Sequence, residues 1–493
     1  LSSIKKLAGQ TAIYGVGTIL GRVLNYLLTP LYTSIFSSEI YAVFNEGYAY
    51  IAILLVVLTY GMETALFQFA QQTTDKKKVF STAMISLLTT TIIFWSIAFT
   101  NTTSLAEFMK YPSNEEYIFW LGLIIGFDAI TALPMAWLRL ENRPKLFSLI
   151  TLSNIGINIG LNLFFLFYCR NHYLEFGEDS NAVVKLLYNH DIGVGYVFIS
   201  NLIASLFKVA MCLPVLLKNL STFDFKLWKN MIRYSWPLLI AGLGFIINER
   251  LDVLMLKHLL PYTDFQNRQM IGIYSASYKI AILMSIFIQA FRFAAEPFFF
   301  QQSRSLDAPL QYARIMNYFV AFCSFIFLFV MLHLDIIKYF LQNEEYWKGL
   351  EIVPIIMLAN MFLGIYINLS MWYKLSGQTI FGAIFSLFGA LITIAINYYY
   401  IPVFGYMASA YATLITYFLM VVVSYWVSKK YYPIPYQTGK IIFYILLSFG
   451  LYFLSVLIPM HNQYVSMGLK SALLIPFVLV VYYIEFRKSF QFK

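Results

Sequence analysis

The stretch FRFAAEPFFFQQ, residues 291–302, ends the apolar run that begins at Ile271, and it puts an arginine, a glutamate and a proline into it. Which solvent surrounds such a segment decides what those three residues mean. The whole chain answers: 60% of its 493 residues are hydrophobic, 19% are aromatic and only 12% are charged. Soluble proteins average about 25% charged. With a mean hydropathy of +0.69, this is the composition of an integral membrane protein. Cys169, Cys212 and Cys323 lie in or beside apolar segments without metal-ligand spacing, and they read as small apolar residues. The N-terminal KKLAGQTAIYGVGTIL starts like a signal peptide, but its apolar run is too long and lacks a clear cleavage site, so it reads as a first membrane helix.

Crossing a bilayer takes about 20 apolar residues. The expected fold class is therefore an all-α polytopic membrane protein with about fourteen transmembrane helices. Their approximate spans are 7–36, 44–70, 80–104, 116–138, 146–168, 192–216, 233–258, 271–300, 312–334, 350–373, 379–401, 404–428, 440–459 and 465–485. Lysines and arginines concentrate in cytoplasmic loops, and here Lys5, Lys6, Lys76 to Lys78, Arg139, Arg143, Lys145, Lys218, Lys226, Lys229, Lys429 and Lys430 fall on one side. Glu115, Glu116, Glu175, Glu178, Asp179, Glu344 and Glu345 fall on the other. Both termini are expected in the cytoplasm. The net charge of +10 is then a topology signal and not a nucleic-acid footprint.

The chain also repeats. A shift of 230 residues (271 − 41) lays YAVFNEGYAYIAI (41–53) on IGIYSASYKIAIL (271–283) and aligns Ala65 with Ala295, Phe69 with Phe299 and Gln71-Gln72 with Gln301-Gln302. Arg22 and Arg250 come within two residues of the same register. Because the shift spans an even number of helices, the halves are expected to be parallel repeats about an axis along the membrane normal. That gives two pseudo-symmetric six-helix lobes, 1–217 and 234–430, a basic linker at 218–233, and two further helices with a tail in 431–493.

Transporters built this way bind substrate near the midplane between lobes, and ionisable residues at that depth are scarce. Arg22 and Arg250 are each too deep to snorkel, and Lys279 lies deep in the eighth span. An ion pair of Arg250 with Glu249 or Asp252 is the structural reading, and an anion-binding group is the functional one. Asp128 lies mid-span, and Asn154, Asn158 and Asn162 form a ladder on one helix face; such residues either bind a neighbouring helix or contact a sugar. Arg292 and Glu296 are four residues apart at the cytoplasmic end of the eighth span, where Pro297 should kink or end the helix. Glu63 occupies nearly the same place in the first lobe. Arg292, Glu296 and Glu63 are thus gate candidates, against the alternative of self-neutralising pairs, and Asp252 joins them as a gate or coupling residue.

SWPLLIAGLGFIINERLDVLMLK, GIYSASYKIAILMSIFIQAFRFAAEPFFFQQ and NYYYIPVFGYMASAYATLITY resemble the polysaccharide transporters of the multidrug/oligosaccharidyl-lipid/polysaccharide flippase superfamily. The resemblance implies a V-shaped, alternating-access protein of the bacterial inner membrane. Its implied substrate is an oligosaccharide on undecaprenyl diphosphate, with cavity arginines on the diphosphate and the last two helices beside the lipid tail. Polysaccharide polymerase and export proteins are the implied partners. No cofactor is expected, and H+, Na+ or the membrane potential are the candidate couplings. The alternatives within the superfamily are a lipid II flippase and a multidrug exporter. An outer insertion at about 169–190 departs from the pattern. An enzyme is not expected, since the first outer loop, SSEIYA, is too short for a catalytic site.

Overall fold

A computed structural model describes residues 19–21, 23–302, 305–457 and 463–486. Among them the chain is helical, with no strand. The helices used below are α1 Thr29–Ile35, α2 Ser38–Thr59, α3 Met62–Ala70, α4 Lys76–Thr100, α5 Glu115–Leu140, α6 Pro144–Asn162, α7 Gly195–Asn219 and α8 Phe225–Leu259. They continue with α9 Asp264–Gln302, α10 Ala308–Leu332, α11 Val353–Leu369, α12 Ile380–Phe404, α13 Tyr406–Tyr431, α14 Thr438–Val456, α15 Gln463–Ala472 and α16 Leu474–Phe486. Twelve helical stretches among the described residues are long and apolar enough to cross a membrane. They match the expected spans except the first and the seventh. The first lies partly outside the described residues. The seventh, α8, is long enough at about 52 Å (1.5 Å per residue), but Glu249, Arg250 and Asp252 interrupt its apolar stretch.

Several expected spans are broken where backbone chemistry demands it. The first does not run unbroken to residue 36: it turns at Leu27 and Leu28, and α1 restarts with Pro30 in its first turn, where a missing N–H costs nothing. The second breaks between α2 and α3 at Tyr60 (φ 32°) and Gly61 (φ 73°), both left-handed. A side chain at Gly61 is excluded twice over, since a Cβ there would lie 2.9 Å from the Ser235 carbonyl oxygen. Conversely, α9 does not end at Pro297 and continues to Gln302.

Packing divides the chain into two compact units, Leu1–Gly272 and Ile273–Lys493, so that α8 packs with the first unit and the division falls inside α9. In the first unit, α4 meets α5 over a small-residue strip: Trp95 Nε1 donates to the Gly122 carbonyl at 2.8 Å, and a Cβ on Gly126 would fall 2.3 Å from the Trp95 ring. Glycines four apart let helices approach where lipid supplies no hydrophobic drive. In the second unit, Tyr366, Trp372, Phe385, Tyr417 and Met420 form a buried cluster, closed by a Trp372 Nε1 bond to Ser424 Oγ at 3.2 Å. There α14 and α16 pack on α10 through Phe327 stacked on Phe449 and through buried Phe477. The insertion at 169–190 is ordered by Tyr188 stacked on Tyr196 and by the Asn189 N–H donating to Tyr196 Oη at 2.6 Å.

Candidate functional site: charged side chains within the helices

In α8 the residues Asn248 and Asp252 are buried, Glu249 is half-buried and Arg250 is exposed. The Asp252 carboxylate accepts the Val253 N–H at 2.8 Å. Arg250 forms no ion pair among the described residues, with Glu249, Asp252 or any other acid. It sits nine residues before the end of α8, about 14 Å along the axis. Arg22 lies outside the described residues. Lys279 is half-buried in the second unit.

One rung of the asparagine ladder, Asn162, binds a neighbouring helix. Tyr32 Oη donates to Asn162 Oδ1 at 2.9 Å, and Asn162 Nδ2 donates to the Asn158 carbonyl oxygen at 2.8 Å and to its Oδ1 at 3.1 Å. Asn154 is half-buried one turn away. Asp128, by contrast, belongs to a polar network across three helices. Its carboxylate accepts from Ser205 Oγ at 3.2 Å and pairs with Lys208 at 3.4 Å, while Asn201 Nδ2 donates to Tyr48 Oη at 3.3 Å. Asn201, Ser205 and Lys208 share one face of α7 by their spacing.

Glu63 and Glu296 each hold a base of their own unit. Glu63 pairs with Arg139 at 2.7 Å, and the guanidinium also lies over Phe67 at 5.3 Å. Glu296 pairs with Lys374 at 2.7 Å and, more loosely, with Arg292 at 3.5 Å. The two acids are 233 residues apart (296 − 63) and the two bases 235 apart (374 − 139), so the repeat preserves an acid–base contact at the basic end of each unit.

One constellation has no counterpart among the expected site residues. Glu46 of α2, fully buried, pairs with Lys257 of α8, which is 2% exposed. Tyr111 Oη donates to the same Glu46 oxygen, Oε2. The Lys257 ammonium lies over the Tyr111 ring at 3.9 Å and the Arg268 guanidinium over it at 4.7 Å. Lys257 ends an apolar stretch just before the polar segment at 261–264, and Glu46 lies in the repeated stretch YAVFNEGYAYIAI; an acid inside an apolar helix was the signal available.

A helical bundle of apolar spans that keeps ion pairs in its interior is that of a multi-pass membrane protein. The family profile described as polysaccharide biosynthesis protein matches residues 7–303, and the chain belongs to that family. Among solved structures it is similar to the lipid II flippase MurJ in an inward closed conformation, with a TM-score of 0.69 at 15% identity over 97% of this chain and 100% of that one. A multidrug resistance MATE family transporter of the MOP superfamily in an inward-facing conformation gives 0.62 at 12% identity over 83% and 93%. The Vibrio cholerae MATE transporter VcmN, as a mutant, gives 0.60 at 12% identity over 87% and 98%. No curated protein matches the sequence significantly.

Proposed function

We propose that the protein is a flippase that carries an oligosaccharide linked to undecaprenyl diphosphate from the cytoplasmic to the outer face of the inner membrane by alternating access, for surface polysaccharide synthesis. Arg250 carries this reading. A guanidinium deep within a span costs at least about 2.5 kcal/mol in hydrocarbon, yet among the described residues this one pairs with no carboxylate, so it faces water or an anion. A diphosphate accepts paired guanidinium hydrogen bonds, which an ammonium cannot reproduce in the same geometry. Arg22, near the same repeat position, supplies the second such group. The family match supports a glycan cargo and the MurJ-like fold supports a lipid carrier; the same fold keeps a lipid II flippase as the second reading.

The test is flipping in reconstituted vesicles, read as the fraction of lipid-linked saccharide reached by an impermeant lectin. Arg250→Ala removes charge-assisted bonds of about 3 kcal/mol and should slow flipping by about a hundredfold, at tenfold per 1.4 kcal/mol. Arg250→Lys should recover part of the rate. Full recovery in Arg250→Ala combined with Asp252→Asn would show a structural charge balance and remove Arg250 from the substrate site.

A further inference from the structure

We infer that Glu46 and Lys257, with Tyr111 against both, form a latch that fastens the end of α8 and the start of α9 to α2, and that it opens whenever the protein turns toward that end of the bundle. The inference rests on the alternating-access reading above. By the distribution of lysines and arginines, this is the outer end.

The cluster joins segments that the repeat assigns to different halves. Residues 38–46 and 106–111 belong to the first repeat, and 257–272 to the second. Besides the central pair, Lys110 Nζ bonds Asp264 at 2.8 Å and Arg268 donates to the Lys110 carbonyl oxygen at 2.7 Å. Gly272 meets the first residue of α2 so closely that a Cβ would lie 1.8 Å from the Ser38 carbonyl oxygen. The seam is shut as tightly as backbone allows.

Its central pair is nonetheless poorly suited to permanent closure. Both charges give up their hydration, and a buried ion pair is weak evidence for stability; its best-attested use is in setting register or switching. Glu46 Oε1 is buried and has no hydrogen-bond partner among the described residues. When the seam parts, both charges and the unpaired oxygen regain water, which offsets the lost Coulomb attraction. Open and closed forms are thereby kept close in free energy, as a two-state carrier requires. The repeat shows that this is a device of one seam. The 230-residue shift takes Glu46 to Ala276 and Lys257 back to Leu27, both uncharged.

Ala42 is one turn from Glu46 on the same face of α2 and is fully buried. With Cys169, Cys212 and Cys323 replaced by Ala, an Ala42→Cys chain gives a site whose reaction with an impermeant maleimide, added from the outer side, reports the seam. Glu46→Gln and Lys257→Met should each speed labelling about tenfold or more by unbalancing the two-state equilibrium, and the charge-reversed protein, Glu46→Lys with Lys257→Glu, should return it toward the slow rate. Tyr111→Phe, which keeps the ring, should give a smaller increase in the same direction and covers the case in which the charge variants fail to insert. Native labelling rates in Glu46→Gln, Lys257→Met and Tyr111→Phe overturn the latch, and so does equally fast labelling in the single and charge-reversed variants, which would mean loosened packing. Labelling reads the opening itself whatever is carried, so a failed latch and a wrong substrate are told apart.

Discussion

A carboxylate and an ammonium placed together inside a helical bundle lose hydration that their attraction repays only with good geometry. Asp128 and Lys208 illustrate the consequence. Their side chains are 23% and 21% exposed, and Ser205 adds a hydrogen bond to the acid. Asp128→Asn should therefore destabilise the protein by roughly 3 kcal/mol, the lower end for breaking a buried pair, whereas Asp128→Asn with Lys208→Met should recover most of the loss in thermal denaturation in detergent. Should the double variant melt as low as the single one, the pair is not the reason for either residue. The sequence pointed to Asp128, Glu63 and Glu296 but not to the bases they hold most closely, Lys208, Arg139 and Lys374. Those partners lie between 76 and 80 residues away, and only tertiary packing reveals them. What local spacing did reveal, Arg292 with Glu296, is the longer of the two contacts to that acid.

Among the elements, α8 joins the two ends of the first unit. The repeat makes it the first helix of a second lobe, yet it packs on the first unit along its length. At its basic end the connection from α7 is tied to α4: the Ser221 N–H donates to Ser81 Oγ at 2.8 Å, the Asp224 N–H to Thr82 Oγ1 at 3.2 Å, and Trp228 Nε1 to Ser86 Oγ at 2.8 Å. Ser86 also bonds Tyr60 Oη at 2.7 Å, at the break between α2 and α3. Ser86→Ala should leave both groups without that partner and lower stability by about 1–3 kcal/mol, seen as a reduced Tm, while Ser86→Thr keeps the hydroxyl and should melt near the native value. The Lys78 ammonium and then the Leu227 N–H hold the Asp224 carboxyl below its ordinary value. A depressed pKa of this kind adds stability above the unfolded value, near 3.9, and that stability is lost as the pH falls through the folded one. Asp224→Asn should therefore flatten the acid limb of a Tm-against-pH curve; an unchanged limb would discount the tie. Helix existence was legible from hydropathy almost throughout. The breaks at Tyr60-Gly61 and Leu27-Leu28 were not, because both lie within long apolar runs whose hydropathy carries no sign of the turn, and at Pro297, where a kink or an end was expected, the helix does not end.

For the whole molecule, the apolar spans and the polysaccharide-family match make it a multi-pass membrane protein with a transporter fold, and its sidedness is a matter for labelling. Cysteines at Asp75 and Thr222 should react with an impermeant maleimide from the cytoplasmic side, and cysteines at Glu115 and Glu178 from the outside; all four positions are exposed, unlike neighbouring Ser180, which is buried. Reaction of all four from one side would refute the orientation. The flippase account itself is tested most directly by depleting the protein in cells that make the corresponding surface polysaccharide and identifying the lipid-linked glycan that builds up. The expected result is an undecaprenyl-diphosphate-linked oligosaccharide held in the cytoplasmic leaflet, cleared by the native chain and not by Arg250→Ala. Depletion that leaves no lipid-linked glycan in that leaflet, or equal clearance by the Arg250→Ala chain, would contradict it.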